Sequence, residues 1–240
     1  MKAYFDKVYS RGLDAFTREL ECRVAEEKKT FIITANPETL MIGKKNDNFD
    51  KILKSEDTII VPDGIGVVKG MQMTGYAVKE RVTGVDIVKH LFQIADKQQK
   101  SVFLLGAKPE VVQTLGKKLG IDYPNLELVG CVDGYVKDKD AVFSDIKKLK
   151  PDVVLVALGI PAQELLIEKH YDNFEKGIFV GVGGSFDVLS GIKKRAPQIF
   201  VKLNLEWLYR ICCEPKRIKR FYESNVKYIK VIQKMKKEVV

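Results

Sequence analysis

Histidine is nearly absent from this 240-residue chain: His90 and His170 are the only two, and each lies in a charged, helix-like stretch. A histidine-based catalytic triad or metal site is not expected. Cysteine is scarce as well. Cys22, Cys131, Cys212 and Cys213 show neither CxxC nor Cys/His ligand spacing, so neither zinc nor a disulfide framework is expected. No stretch reaches the roughly 20 apolar residues that span a bilayer. The opening MKAYFDKVYS lacks the apolar centre of a signal peptide, and the protein is expected to stay in the cytosol. A GxGxxG fingerprint is missing too, which argues against an oxidoreductase that uses a dinucleotide.

What the chain does have is an uneven charge. It carries 41 Lys+Arg against 32 Asp+Glu, a formal net charge of +9. Residues 193–240 hold 14 basic and 4 acidic residues, so the rest of the chain is close to neutral. A basic tail implies an anionic partner: a membrane surface, a nucleic acid or substrate phosphates. The length fits one large domain, or one domain plus an appendage.

Strand-like runs alternate with helical patterns from about residue 30 to residue 185. The expected strands are Thr30–Ala35, Thr58–Val61, Ser101–Leu105, Glu127–Cys131, Asp152–Leu158 and Gly177–Val182. Helical periodicity between them, as in Val85, Val88, Leu91, Phe92 and Ala95, predicts an α/β fold with a doubly wound, mainly parallel sheet. A first helix with Leu13, Phe16, Leu20 and Val24 precedes the first strand.

The tail breaks this rhythm. Arg195-Ala196-Pro197 is expected to open a helix carrying Ile199, Leu203, Trp207, Leu208 and Ile211, which Pro215 interrupts. A second helix then presents Ile218, Phe221, Tyr222, Asn225, Ile229 and Ile232 on one stripe. Lys216, Lys219, Lys227, Lys230, Lys234 and Lys237 lie on the other face. A basic amphipathic helix suits a membrane interface; the alternative is a cap docked on the body with its lysines solvated. The division expected is a core over residues 1–194 and a helical appendage over residues 195–240, facing membrane and acceptor. Truncation after Gly191 is expected to leave the core folded.

Asp63 is the leading catalytic candidate. Thr58–Val61 reads as a central strand buried on both faces; Pro62 ends its pairing, and Gly64 and Gly66 turn the backbone into the next helix. Asp63 then stands at the carboxyl end of that strand, where open α/β sheets bind ligands. A carboxylate there can take a proton from a substrate hydroxyl; the alternative is a helix N-cap.

The loops that follow the expected strands are, in order, TANPE (Thr34–Glu38), PDGIG (Pro62–Gly66), ERVTGVD (Glu80–Asp86), LLGAKPE (Leu104–Glu110), VDGY (Val132–Tyr135), LGIPAQE (Leu158–Glu164) and VGGSFDVLSG (Val182–Gly191). KKRAP and LEWLYRICCEPKRIKR come after them. This series resembles the WecG/TagA/CpsF glycosyltransferases of bacteria, glycosyltransferase family 26, over about residues 30–225. The resemblance implies a Rossmann-like core and inverting, metal-independent transfer from a UDP-sugar to a polyprenyl-diphosphate-linked sugar at the cytoplasmic membrane face. The product expected first is N-acetylmannosamine on undecaprenyl-diphosphate N-acetylglucosamine, the wall teichoic acid linkage unit. Transfer of N-acetylmannosaminuronic acid or glucose to a lipid-linked sugar is the alternative within the family. No cofactor is expected.

The resemblance casts Asp63 as the base. Thr34 and Asn36 can hydrogen-bond a sugar or orient Asp63, or merely serve turn and capping chemistry before Pro37. Gln163 matches the family's Pro-x-Gln-Glu loop and can donate to sugar or phosphate, whereas Ala162 stands where the family usually has lysine. Arg81 is the cationic candidate for the diphosphate, with an internal ion pair as its alternative. Gly106 lies where Rossmann-like folds bring backbone close to a nucleotide. Tyr135 can stack on uracil or pack at the rim, and Asp187 can accept from the uracil edge. In the tail, Arg210, Arg217 and Arg220 match the family's arginines, and guanidinium suits a diphosphate. They share a face if the helices run nearly continuously past Pro215. Asp138 and Asp140 form a DxD triplet, which reads as a helix cap rather than a metal site.

Two other classes compete. A nucleic-acid-binding protein would account for the basic tail, but no recognition motif supports it. A non-catalytic assembly protein would use the tail as an arm. Exposed apolar tail residues are also compatible with a homo-oligomer.

Overall fold

Runs rich in Val, Ile, Leu and Phe build a six-stranded sheet. In the computed structural model, which describes residues 1–239 apart from the side chains of residues 217, 220 and 239, the strands are Thr30–Ala35 (β1), Thr58–Pro62 (β2), Ser101–Gly106 (β3), Glu127–Val132 (β4), Val153–Ala157 (β5) and Ile178–Gly181 (β6). All pair in parallel, in the order β2-β1-β6-β5-β3-β4. β1, β5 and β6 are buried at every position, as expected for strands covered by helices on both faces.

Neighbouring residues on a strand serve opposite layers. Phe31, Ile33, Val154 and Phe179 face the helices Pro37–Gly43, Asp47–Lys54, Lys139–Leu149 and Ala162–Tyr171. Ile32, Val102, Leu104, Leu155 and Val180 face the helices Leu13–Ala25, Gly84–Gln98 and Pro109–Asp122. The doubly wound α/β reading is therefore correct.

The strand leading to Asp63 is not central. β2 is the last strand on its side of the sheet, with only a bridge from Val8 to Ile60 beyond it. It reads as a buried strand because the N-terminal segment covers this flank: Tyr9 N–H donates to the Ile60 carbonyl at 2.8 Å. Pro62 remains in register with Ala35, and its carbonyl accepts from the Val82 amide at 2.9 Å. Gly64 keeps an ordinary extended backbone (φ −91°, ψ 132°). Glycine is required there by crowding, since a Cβ would lie 2.9 Å from the Asn36 Cβ, and one on Gly66 would lie 2.6 Å from the Pro37 Cγ.

The tail also departs from expectation. The single helix after Pro197 is two, Gln198–Lys202 and Glu206–Cys213, separated where Asn204 adopts φ 59°. Glu214 leaves helical geometry before the long helix Arg217–Val239, so the path past Pro215 is not continuous. The long helix docks Tyr228, Ile232 and Met235 into the same core as Val67, Val68 and Met71 of helix Ile65–Met73. Ile218, Tyr222 and Ile229 remain exposed. One helix thus carries a docked stripe, as the cap reading expects, and an exposed apolar one beside it. No helix among the described residues is long and apolar enough to cross a membrane.

Candidate active site

The carboxyl ends of β2, β1, β6 and β5 lie side by side and gather the polar groups. Asp63 is fixed at the end of β2 by its own amide, which donates to the Ala35 carbonyl at 2.9 Å. Its Oδ1 accepts from the Gly84 amide at 3.0 Å, at the start of helix Gly84–Gln98. Burial pushes the Asp63 carboxyl above its ordinary value; Arg210, the Gly84 amide and Arg81 pull it back down, and Glu206 adds to the rise. A carboxylate poised upward in this way suits proton abstraction.

Thr34 and Asn36 leave the end of β1 beside it, and both are engaged within the protein. The Thr34 hydroxyl donates to the Gly181 carbonyl at 2.9 Å, joining β1 to β6. Asn36 Oδ1 accepts from the Thr39 amide at 3.0 Å and caps helix Pro37–Gly43 in a capping box. The capping alternative for Asn36 is the one the geometry displays.

Gln163 is buried, and its amide bonds within the protein. Its Oε1 accepts from the amides of Gly159 and Gly183, both at 3.0 Å, and its Nε2 donates to Glu164 Oε1 at 2.7 Å. Gln163 therefore clamps the loops after β5 and β6 together. Glu164 is fully buried, its Oε2 has no hydrogen-bond partner among the described residues, and burial raises its carboxyl to about 7. This clamp was not visible in the sequence, where Gln163 reads as a ligand-facing donor.

A second cluster lies within electrostatic reach of Asp63. Arg81 donates to Glu206, and both side chains are largely buried. Arg195 grips Asp86 with two bonds, Nη1 to Oδ1 at 2.9 Å and Nη2 to Oδ2 at 3.2 Å. Burial opposes ionisation of Asp86, yet Arg195 and the Thr83 hydroxyl hold its carboxyl below the ordinary value. The internal ion pair foreseen as an alternative for Arg81 is present. Asp86, Arg195 and Glu206 had no assigned roles; Glu206, a lone acid inside LNLEWLY, was the available signal. A cleft of about 390 Å³ opens here, lined by Arg81, Thr83, Asp86, Lys69, Gln72 and Asn204 among others.

The remaining candidates stand apart. Gly106 (φ 123°) lies against β5, where a Cβ would sit 2.4 Å from the Ala157 carbonyl oxygen, so strand packing by itself requires glycine. β4 closes the far edge of the sheet, and the loop after it turns back toward the ends of β3 and β5: the Gly134 amide donates to the Ala107 carbonyl at 2.8 Å, and a Cβ on Gly134 would lie 3.0 Å from Leu158 Cδ2. The Tyr135 ring is 70% exposed. Asp187 lies 3.5 Å from Lys193. Arg210 is exposed while its charge acts on Asp63; the side chains of Arg217 and Arg220 lie outside the described residues. Asp138 Oδ1 accepts from the Ala141 amide at 2.9 Å, and Asp140 pairs with Lys169 and His170, so the DxD triplet is a helix cap. No group of three or more His, Cys, Asp or Glu among the described residues converges as a metal site.

Residues 6–239 match the model of the glycosyl transferase WecG/TagA/CpsF family. An N-acetylglucosaminyldiphosphoundecaprenol N-acetyl-beta-D-mannosaminyltransferase of Bacillus subtilis (strain 168) is 40% identical over 227 residues, covering 94% of this chain and 88% of that protein. The Bacillus spizizenii protein of the same name is 40% identical over 223 residues, covering 92% and 86%. A Staphylococcus aureus (strain NCTC 8325 / PS 47) protein of that name is 37% identical over 208 residues, covering 86% and 81%.

Proposed function

The chain belongs to the WecG/TagA/CpsF glycosyl transferase family, and from that membership we infer that it transfers N-acetylmannosamine from a UDP-sugar to undecaprenyl-diphosphate N-acetylglucosamine. This is the acceptor and sugar in the names of its relatives, and the product is the wall teichoic acid linkage unit.

Asp63 carries the mechanism. As the acceptor hydroxyl oxygen forms its bond to the anomeric carbon, its proton passes to Asp63 and the carbon–oxygen bond to UDP breaks on the opposite face, inverting the centre. The departing diphosphate needs positive charge, which Arg81 and Arg210 supply; both already act on Asp63. Gln163 works through the loops it holds rather than by touching sugar.

The tail places this chemistry at the inner face of the membrane. Exposed Ile199, Leu203, Ile218, Tyr222 and Ile229 enter the interface while the surrounding lysines and arginines meet anionic headgroups. UDP release from a panel of UDP-sugars with a short-chain lipid acceptor tests the assignment. N-acetylmannosamine transfer is expected, and release only from another donor would move the chain to a different branch of the family.

A further inference from the structure

Glu206 occupies the place of an anion. Its buried carboxylate lies between two guanidiniums, bonded to Arg81 and 3.5 Å from Arg195 Nε. That second contact is imperfect: Arg195 Nε is buried and has no hydrogen-bond partner among the described residues. Each Glu206 oxygen faces one arginine, but Arg195 Nε is left unbonded, and a phosphate offers a third oxygen. The seat is thus filled by an anion that leaves one of its donors unmet.

We propose that Arg81 and Arg195 form a seat for a substrate diphosphate, and that Glu206 of the tail stands in for it when no substrate is bound. The proposal rests on the transfer reaction inferred above. Arg81, Arg195 and Arg210 are balanced here by Asp63, Asp86 and Glu206. Lys69, Lys79 and Glu80 add one net positive charge to the cleft, so a diphosphate entering beside Glu206 still leaves an excess of negative charge where Arg81 and Glu206 are largely buried, which is unfavourable. The acid most able to leave is Glu206. Asp63 and Asp86 belong to the body, held by the Gly84 amide and by Thr83 and Arg195. Glu206 instead opens the short tail helix Glu206–Cys213, bounded by non-helical residues on both sides. Diphosphate binding therefore expels Glu206 and loosens that helix, which stays tethered through the Arg195–Asp86 pair before it and through Arg210 on the diphosphate.

The test measures binding by calorimetry on the full chain, with UDP and farnesyl diphosphate as probes for the donor and lipid sources. Glu206→Gln keeps the shape and removes the charge, so at least one probe should bind roughly tenfold more tightly or better, a gain of about 1.4 kcal/mol. The probe that gains identifies the source. Adding Arg195→Gln to that variant should abolish the gain. Unchanged or weaker binding of both probes to a folded Glu206→Gln protein overturns the proposal. On the unmodified protein, saturating UDP or farnesyl diphosphate should accelerate amide exchange over residues 206–213; slower or unchanged exchange with both probes also overturns it. Absence of sugar transfer to any lipid acceptor would defeat the functional assignment instead, without altering these binding results.

Discussion

Gly70 sits directly beneath the hydroxyl of Tyr228: a Cβ built on Gly70 would lie 2.1 Å from that oxygen and 3.2 Å from Ile232 Cδ1. The C-terminal helix rests on a glycine because nothing larger leaves room for its docked stripe. Gly70→Ala should therefore lift Tyr228 and Ile232 from the core and destabilise the protein by about 1–3 kcal/mol, the range for overpacking. Faster amide exchange over residues 225–235 should accompany the drop in melting temperature. An unchanged melting temperature would mean that the helix is not held at this contact.

Asp63→Asn should retain UDP binding and lower turnover by roughly a hundredfold or more, the scale for removing a general base. The fold is expected to survive, because asparagine Oδ1 can still accept from the Gly84 amide. Turnover near the wild-type rate in a folded Asp63→Asn protein would remove Asp63 from the mechanism.

Glu164 gives stability a pH dependence. Burial raises its folded-state value from the ordinary 4.5 to about 7, so between these limits the folded protein holds a proton that the unfolded chain releases. Stability from protonated Glu164 is fully present below about pH 4.5 and is lost as pH rises through 7, by at most about 3 kcal/mol. Glu164→Gln mimics the protonated acid. Between pH 5 and pH 8 it should lose less stability than the wild type in chemical denaturation. Parallel slopes for the two proteins would show that Glu164 does not titrate in this window.

The tail should attach the protein to vesicles rich in anionic lipid, and added salt should weaken that attachment, since each basic residue near the surface contributes about 1 kcal/mol. Truncation after Gly191 should abolish both vesicle binding and sugar transfer. It also uncovers the core surface that Tyr228, Ile232 and Met235 bury; at about 1.5–3 kcal/mol for each large apolar side chain, the remainder should melt well below the intact chain. Equal vesicle binding and transfer by the truncated protein would reduce the tail to a passive cap.

The strands were legible because a β-branched, apolar run between turn residues has few other uses in a chain of this kind. Thr30–Ala35 and Ser101–Leu105 match the observed strands within a residue. Strand order was not legible. Thr58–Ile60 looks central because Val8 and Tyr9 cover its flank, and that pairing spans some fifty residues with no local signal. Placement was legible where it depends on a residue's own loop, as with Asp63 at the strand end after Pro62 and the capping Asp138. It was hidden where function depends on a distant partner. Gln163 holds Gly183 twenty residues away, and Arg81 meets Glu206 across 125. Neither spacing follows from periodicity.

The far margin of the sheet carries a consequence for the protein in concentrated solution. β4 pairs with β3 in a register that steps from Leu128 directly to Gly130, leaving Val129 as an extra residue. Such a bulge kinks a free margin and interrupts its row of unpaired amides and carbonyls. On the opposite margin the N-terminal segment lies along β2. A second molecule adding its strand to either side would find no uninterrupted template, so this sheet resists the strand-by-strand polymerisation that leads to fibrils.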